Sequence, residues 1–161
     1  MLEESNNFIN QYYLSDLSIC DDLITLFKNS KNKSKGKIGK GVDKTIKDST
    51  DILLWDKDIP QSQVLINYFE ELSKIVDLYK KKYKSCDTQV PAWGLEPAFR
   101  IQKYKPSQAF HGWHCEKGSV YTAIRHLVWM TYLNDIKKGG ETEWYYQKLK
   151  VKPKKGLTVI W

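Results

Sequence analysis

The chain has 161 residues, 41% of them hydrophobic, with six Trp, ten Tyr and five Phe. That is enough apolar material for one packed domain and excludes a disordered chain. Formal charge is +7, from 26 Lys+Arg against 19 Asp+Glu, and Arg100 and Arg125 are the only arginines. An anionic partner such as nucleic acid usually recruits arginine as well as lysine, so the charge alone does not assign one. Cys20, Cys86 and Cys115 are too few and too scattered for a disulfide framework. No apolar run reaches membrane-spanning length, and the opening Glu3 and Glu4 do not read as a secretory signal. A soluble protein of a reducing, intracellular compartment is expected.

Leu17, Cys20, Ile24 and Phe27 recur at helical steps, with Ser15 or Ser18 placed to cap, which predicts a short amphipathic helix. Between Lys28 and Lys47 eight lysines alternate with Asn, Ser and Gly, which reads as a solvated loop. Ile52 to Trp55 is a brief strand. Pro60 and Ser62 mark the start of a second helix, whose apolar stripe is Leu65, Tyr68, Phe69, Leu72, Ile75, Val76 and Tyr79. Lysines 80, 81, 82 and 84 suit the negative pole of its dipole.

Pro91 and Gly94 break the pattern, and the periodicity turns extended. Ala98 to Tyr104 alternates. Tyr121 to Leu133 reads as one long strand, apolar on both faces, of the kind buried inside a sandwich. Gly139-Gly140 makes a turn, Glu141 to Tyr146 resumes extension, residues 152–156 turn again, and Leu157 to Trp161 is a last strand. Helices followed by strands give an α+β order of elements, with no linker to divide it.

Within the extended half, His114-Cys115-Glu116 places a histidine and a carboxylate two residues apart. In a strand both point to one side, and together they supply two of the three ligands of a two-histidine, one-carboxylate ferrous site. His111 is three residues from His114, an odd spacing that sends the two to opposite faces of a strand. His126 is expected to make a structural hydrogen bond rather than to bind iron. Arg125 lies at an odd interval from Tyr132 and points away from its face, and Cys115 points away from the two candidate ligands.

These residues are joined in order by Tyr104-Lys105-Pro106 upstream and by Tyr132-Leu133-Asn134-Asp135 and Gly139-Gly140-Glu141-Thr142 downstream. Over residues 97–161, with the closing Val151 to Trp161 run, the chain resembles the Fe(II)/2-oxoglutarate-dependent dioxygenases of the prolyl-4-hydroxylase-like branch. The resemblance implies one domain over 1–161: a helical support region, 1–96, packed on a double-stranded β-helix (jelly-roll or cupin-like) over 97–161. It implies iron ligation by His114 and Glu116, where the family more often has aspartate. It places Tyr104, Tyr132 and Thr142 near 2-oxoglutarate, and His111 and Trp113 at the mouth, where substrate would be met. The implied cofactors are Fe(II) and 2-oxoglutarate, with L-ascorbate as reductant. The implied reaction is hydroxylation of a C–H bond by dioxygen on a peptide or protein side chain, such as a peptidyl proline.

The family's second histidine and the basic partner of the far 2-oxoglutarate carboxylate have no counterpart after Glu116. A shortened portion of a longer enzyme, lacking its last β-helix strands, is therefore expected. The rival reading is a non-catalytic, lysine-rich β-sandwich fragment that binds an acidic partner, nucleic acid among them; no membrane partner is expected. A zinc site drawn from His111, His114, Cys115 and Glu116 is disfavoured, because such tight spacing cannot turn all four toward one ion.

Overall fold

The computed structural model describes residues 8–39, 41–88 and 92–161. Glu3, Glu4, Lys40 and Pro91 lie outside the described residues. In chain order the elements are β1 (Asn10–Tyr13), α1 (Ser18–Asn29), β2 (Lys33–Lys35), β3 (Thr50–Trp55), α2 (Gln63–Lys82), β4 (Ala98–Lys103), β5 (Trp129–Thr131), β6 (Thr142–Trp144), β7 (Leu149–Val151) and β8 (Leu157–Ile160). Among the described residues every strand pair is antiparallel, in sheets of order β1-β8-β5, β2-β3-β4 and β6-β7. The result is a small α+β fold. Among the described residues no helix is long and apolar enough to cross a membrane.

Both predicted helices form. The second follows its stripe: Leu65, Tyr68, Leu72, Ile75 and Tyr79 are buried, with Phe69 and Val76 half-buried beside them. Ser62 accepts from the Leu65 amide at its start, and Pro60 sits in a short 3-10 turn just before it. In α1 the buried face is Ile19, Cys20, Leu23 and Phe27, while Leu17 is 44% exposed and Ile24 only half-buried. The stripe is displaced because the helix starts at Ser18, whose amide donates to Asp16 Oδ1 at 2.8 Å. Asp16, not Ser15 or Ser18, satisfies the free amide of the first turn.

The chain divides into two compact units: Met1–Asp21, Asn67–Trp93 and Arg125–Trp161 form one, and Asp22–Ile66 with Gly94–Ile124 forms the other. In the first, β8 is the central strand and all four of its residues are buried. Val151, Leu157, Val159 and Ile9 form a core, with Tyr132, Trp144, Leu149 and Trp161 packed on it. Thr158 is fully buried, so its hydroxyl must be paired. It lies 2.8 Å from Thr131 Oγ1, which lies 2.9 Å from the Tyr68 hydroxyl, and Trp129 Nε1 donates to that same hydroxyl at 3.1 Å.

The expected strand from Tyr121 to Leu133 shrinks to β5. Its first part is a 3-10 turn over Val120–Thr122, closed by reciprocal bonds between Ser119 and Thr122. Those local side-chain bonds offer the backbone an alternative to a ladder, and they override the β-propensity of Val120 and Tyr121. Both are about nine-tenths exposed, as is Ile124, so this part is not a strand covered on both faces. The extension expected from Glu141 to Tyr146 is likewise cut to β6, which turns through residues 145–148 into β7. Lys148 there has a φ of 50°. The lysine-rich segment is not a simple loop either, since it contains β2, with Lys33 and Lys35 exposed.

Gly139 and Gly140 turn as expected, at φ of 80° and 75°. Gly156 has a φ of 78°, and a Cβ there would stand 2.3 Å from Leu17 Cδ2, so both conformation and space require glycine.

Glu71 fastens the segment between β1 and α1. It is 8% exposed and accepts from Lys74 Nζ at 2.6 Å, from the Ser15 amide at 2.8 Å and from the Ser15 hydroxyl. Lys74 first, then Ser15, holds its carboxyl at about 2, below the ordinary 4.5. A depressed carboxylate contributes stability above its unfolded value and loses it as pH falls through its folded one. Glu71→Gln should therefore cost about 1–3 kcal/mol at neutral pH. Thermal melts should show that deficit closing as pH is lowered from about 4.5 toward 2.

Candidate functional site

The site residues of the second unit are positioned by β3, β4 and two loops. Pairing of Asp51 with Gln102 puts both on one face of the sheet, and Tyr104 continues that face two residues on. Ahead of β3, Asp43 organises a turn: its side chain accepts from the Thr45 amide at 2.9 Å, and its carbonyl from Lys47 N at 2.8 Å. The Ile46 carbonyl, aimed outward by that turn, accepts from His111 N at 2.6 Å. Asp48 N donates to the Ala109 carbonyl at 2.9 Å, and Lys47 bridges Phe110. Residues 46–48 thus support the loop that carries His114.

Lys47 itself is 4% exposed, so the solvated-loop expectation is wrong at this residue. Its ammonium lies 2.9 Å from Asp51 Oδ2, and Asp51 Oδ1 accepts from Ser49 Oγ at 2.7 Å. Gly36 lies over Ser49; a Cβ there would come within 2.1 Å of Ser49 Oγ. The cluster is closed and fully paired, as a buried charge requires. Lys47 Nζ also stands over the Phe110 ring, 5.9 Å from its centroid. Phe110 in turn stacks on the His114 imidazole, centroids 4.0 Å apart and planes within 9°.

His114 and Glu116 do converge, although their segment is irregular and turns at Glu116-Lys117 rather than forming a strand. Gly112 and Gly118 bracket it, and among the described residues it joins no strand ladder. His114 Nδ1 donates to the Gly112 carbonyl at 3.0 Å, which leaves Nε2 facing Glu116 Oε1 at 3.5 Å. Gly112 is held close to its support: a Cβ on it would stand 2.8 Å from Ile46 Cγ2. Glu116 raises the imidazole pKa above 6.5, against partial burial and the charge of Lys47. Two ligating atoms side by side, on a half-exposed imidazole whose other nitrogen is tied to a carbonyl, suit a divalent cation as two of its donors. Among the described residues no group of three or more His, Cys, Asp or Glu side chains gathers for a metal.

Tyr104 lies in the same unit. Its hydroxyl donates to Gln102 Oε1 at 2.7 Å, and burial of the phenol, then the Asp51 charge, pushes its pKa up to about 12. The residue as a whole is 39% exposed. His111 and Trp113 are exposed, Trp113 by 64%. Tyr132 and Thr142 belong to the other unit, where the Tyr132 hydroxyl donates to Thr142 Oγ1 at 2.7 Å. His126 there makes the expected structural bond, to the Cys86 carbonyl at 2.7 Å.

Lys47, Asp51 and Phe110 are the residues that sequence reasoning missed. The one available signal was the i, i+4 pairing of Lys47 with Asp51 beside an apolar Ile46. Comparison with protein-family models, curated proteins and solved structures returns no match.

Lys47→Ala strands the Asp51 charge and should cost about 3–5 kcal/mol in chemical denaturation, whereas the double change Lys47→Met/Asp51→Leu should come out near neutral. In an NMR titration His114 should hold its proton to higher pH than an ordinary histidine, and Glu116→Gln should bring it back down.

Proposed function

We propose that this chain is an Fe(II)- and 2-oxoglutarate-dependent dioxygenase of the prolyl-4-hydroxylase-like kind, which hydroxylates a C–H bond on a peptide or protein side chain. In this reading its antiparallel strands belong to a double-stranded β-helix. The observation that carries it is the pairing of His114 Nε2 with Glu116 Oε1, 3.5 Å apart, on a loop whose other imidazole nitrogen is already fixed. The order of Tyr104, His114-Cys115-Glu116, Tyr132 and Thr142 along the chain supports it.

Ferrous iron, with 2-oxoglutarate and dioxygen, supplies an oxidation that converts the keto acid to succinate and carbon dioxide while a C–H bond is hydroxylated. The residues hold and orient. His114 and Glu116 provide two protein donors, and the glutamate adds one negative charge to the site. Gly112 fixes the imidazole through its carbonyl. Tyr104, in the unit of His114, is a contact that the resemblance assigns to the keto acid; it assigns Tyr132 and Thr142 as well, whose hydroxyls bond each other in their own unit. Exposed His111 and Trp113 flank the metal pair, where a peptide would be met.

Anaerobic addition of Fe(II) and 2-oxoglutarate should raise a visible charge-transfer band, and His114→Ala should abolish it. A wild-type chain that gives no band under these conditions removes the reading.

A further inference from the structure

The geometry points to Phe110, braced by the buried Lys47, as the positioning residue that sets the plane of the His114 imidazole for metal binding. The inference rests on the iron reading above and deepens it. A histidine on an irregular loop is free to rotate about χ1 and χ2 unless something holds the ring. Here one restraint is the bond from Nδ1 to Gly112, which fixes a point on the ring. A single hydrogen bond leaves the ring free to tilt about it. The second restraint is the parallel face of Phe110 at 4.0 Å and 9°, which fixes the plane. With both, Nε2 faces Glu116 without further ordering.

Phe110 can serve because its own position is over-determined. Its backbone bridges Lys47, and the flanking bonds from Asp48 N to Ala109 O and from His111 N to Ile46 O lock the residues on either side. The Lys47 ammonium over its ring adds a cation–π attraction, and Asp51 and Ser49 hold that ammonium in turn. Nothing in this chain of contacts needs the lysine to reach the metal. Phe110 and Lys47 are positioning residues, one step and two steps removed from the chemistry.

The test uses the full chain and two readouts, one of which needs no metal. Phe110→Met keeps an apolar side chain of similar volume and removes the ring; Phe110→Tyr keeps the ring. In the metal-free protein the stacked ring should shift the His114 carbon-bound ring protons upfield, and Phe110→Met should return them toward free-histidine values. Titration with Co(II) alone should show Phe110→Met binding about ten-fold more weakly, with Phe110→Tyr at wild-type affinity. Lys47→Met/Asp51→Leu, which replaces the ion pair by apolar groups, should weaken Co(II) by a smaller factor while far-UV circular dichroism stays native.

Three results overturn the inference. Wild-type protons that show no upfield shift remove the stack. A shift lost in Phe110→Met with Co(II) affinity unchanged removes the positioning role and leaves the iron reading standing. A wild-type chain with the shift present and no Co(II) uptake removes the iron reading, and the role built on it falls with it.

Discussion

The ion pair between Lys47 and Asp51 is the constraint on which the candidate site depends. Two opposite charges lie 2.9 Å apart with almost no exposure, and their desolvation is a large cost that only mutual attraction and further hydrogen bonds offset. Ser49 supplies one such bond, and Gly36 is small enough to let the strand before it close over the pair. A pair of this kind adds little net stability. It is specific, because neither charge can leave without stranding the other. The segment from Asp43 to Asp51 is therefore held in one place, and the carbonyl of Ile46 and the ring of Phe110 are placed with it.

The first unit solves its buried-polarity problem differently. Its inner groups are hydroxyls: Thr158, Thr131 and Tyr68 form a chain capped by the Trp129 indole, and Tyr132 bonds Thr142. Neutral groups cost far less to bury, so each bond need only replace one to water. Its buried carboxylate Glu71 is completed by Lys74 and Ser15.

Periodicity carried most of what the sequence disclosed. The second helix, β3, β4, the Gly139-Gly140 turn and β8 were legible because apolar residues repeat with the right step or glycine marks the turn. β1 was not, since Asn10-Gln11-Tyr12-Tyr13 has no apolar alternation and becomes a strand only by pairing with the buried β8. The long strand expected at Tyr121 failed where Ser119 and Thr122 bonded each other, a local competition that hydrophobicity does not reveal. For the site, convergence of His114 and Glu116 was readable from their spacing, although the strand behind that argument is absent. Lys47 was hidden among seven other lysines, because its burial depends on Phe110, which arrives from a distant part of the chain, as well as on Asp51 four residues on.

The carbonyl of Gly112 has one more consequence. A carbonyl oxygen can only accept, so the bond it makes requires the proton of a neutral imidazole to sit on Nδ1. In that tautomer the lone pair is on Nε2; in the protonated ring that Glu116 favours, both nitrogens carry protons, one toward each acceptor. An incoming Lewis acid therefore has only the Nε2 proton to displace, because the carbonyl keeps the other on the far side of the ring.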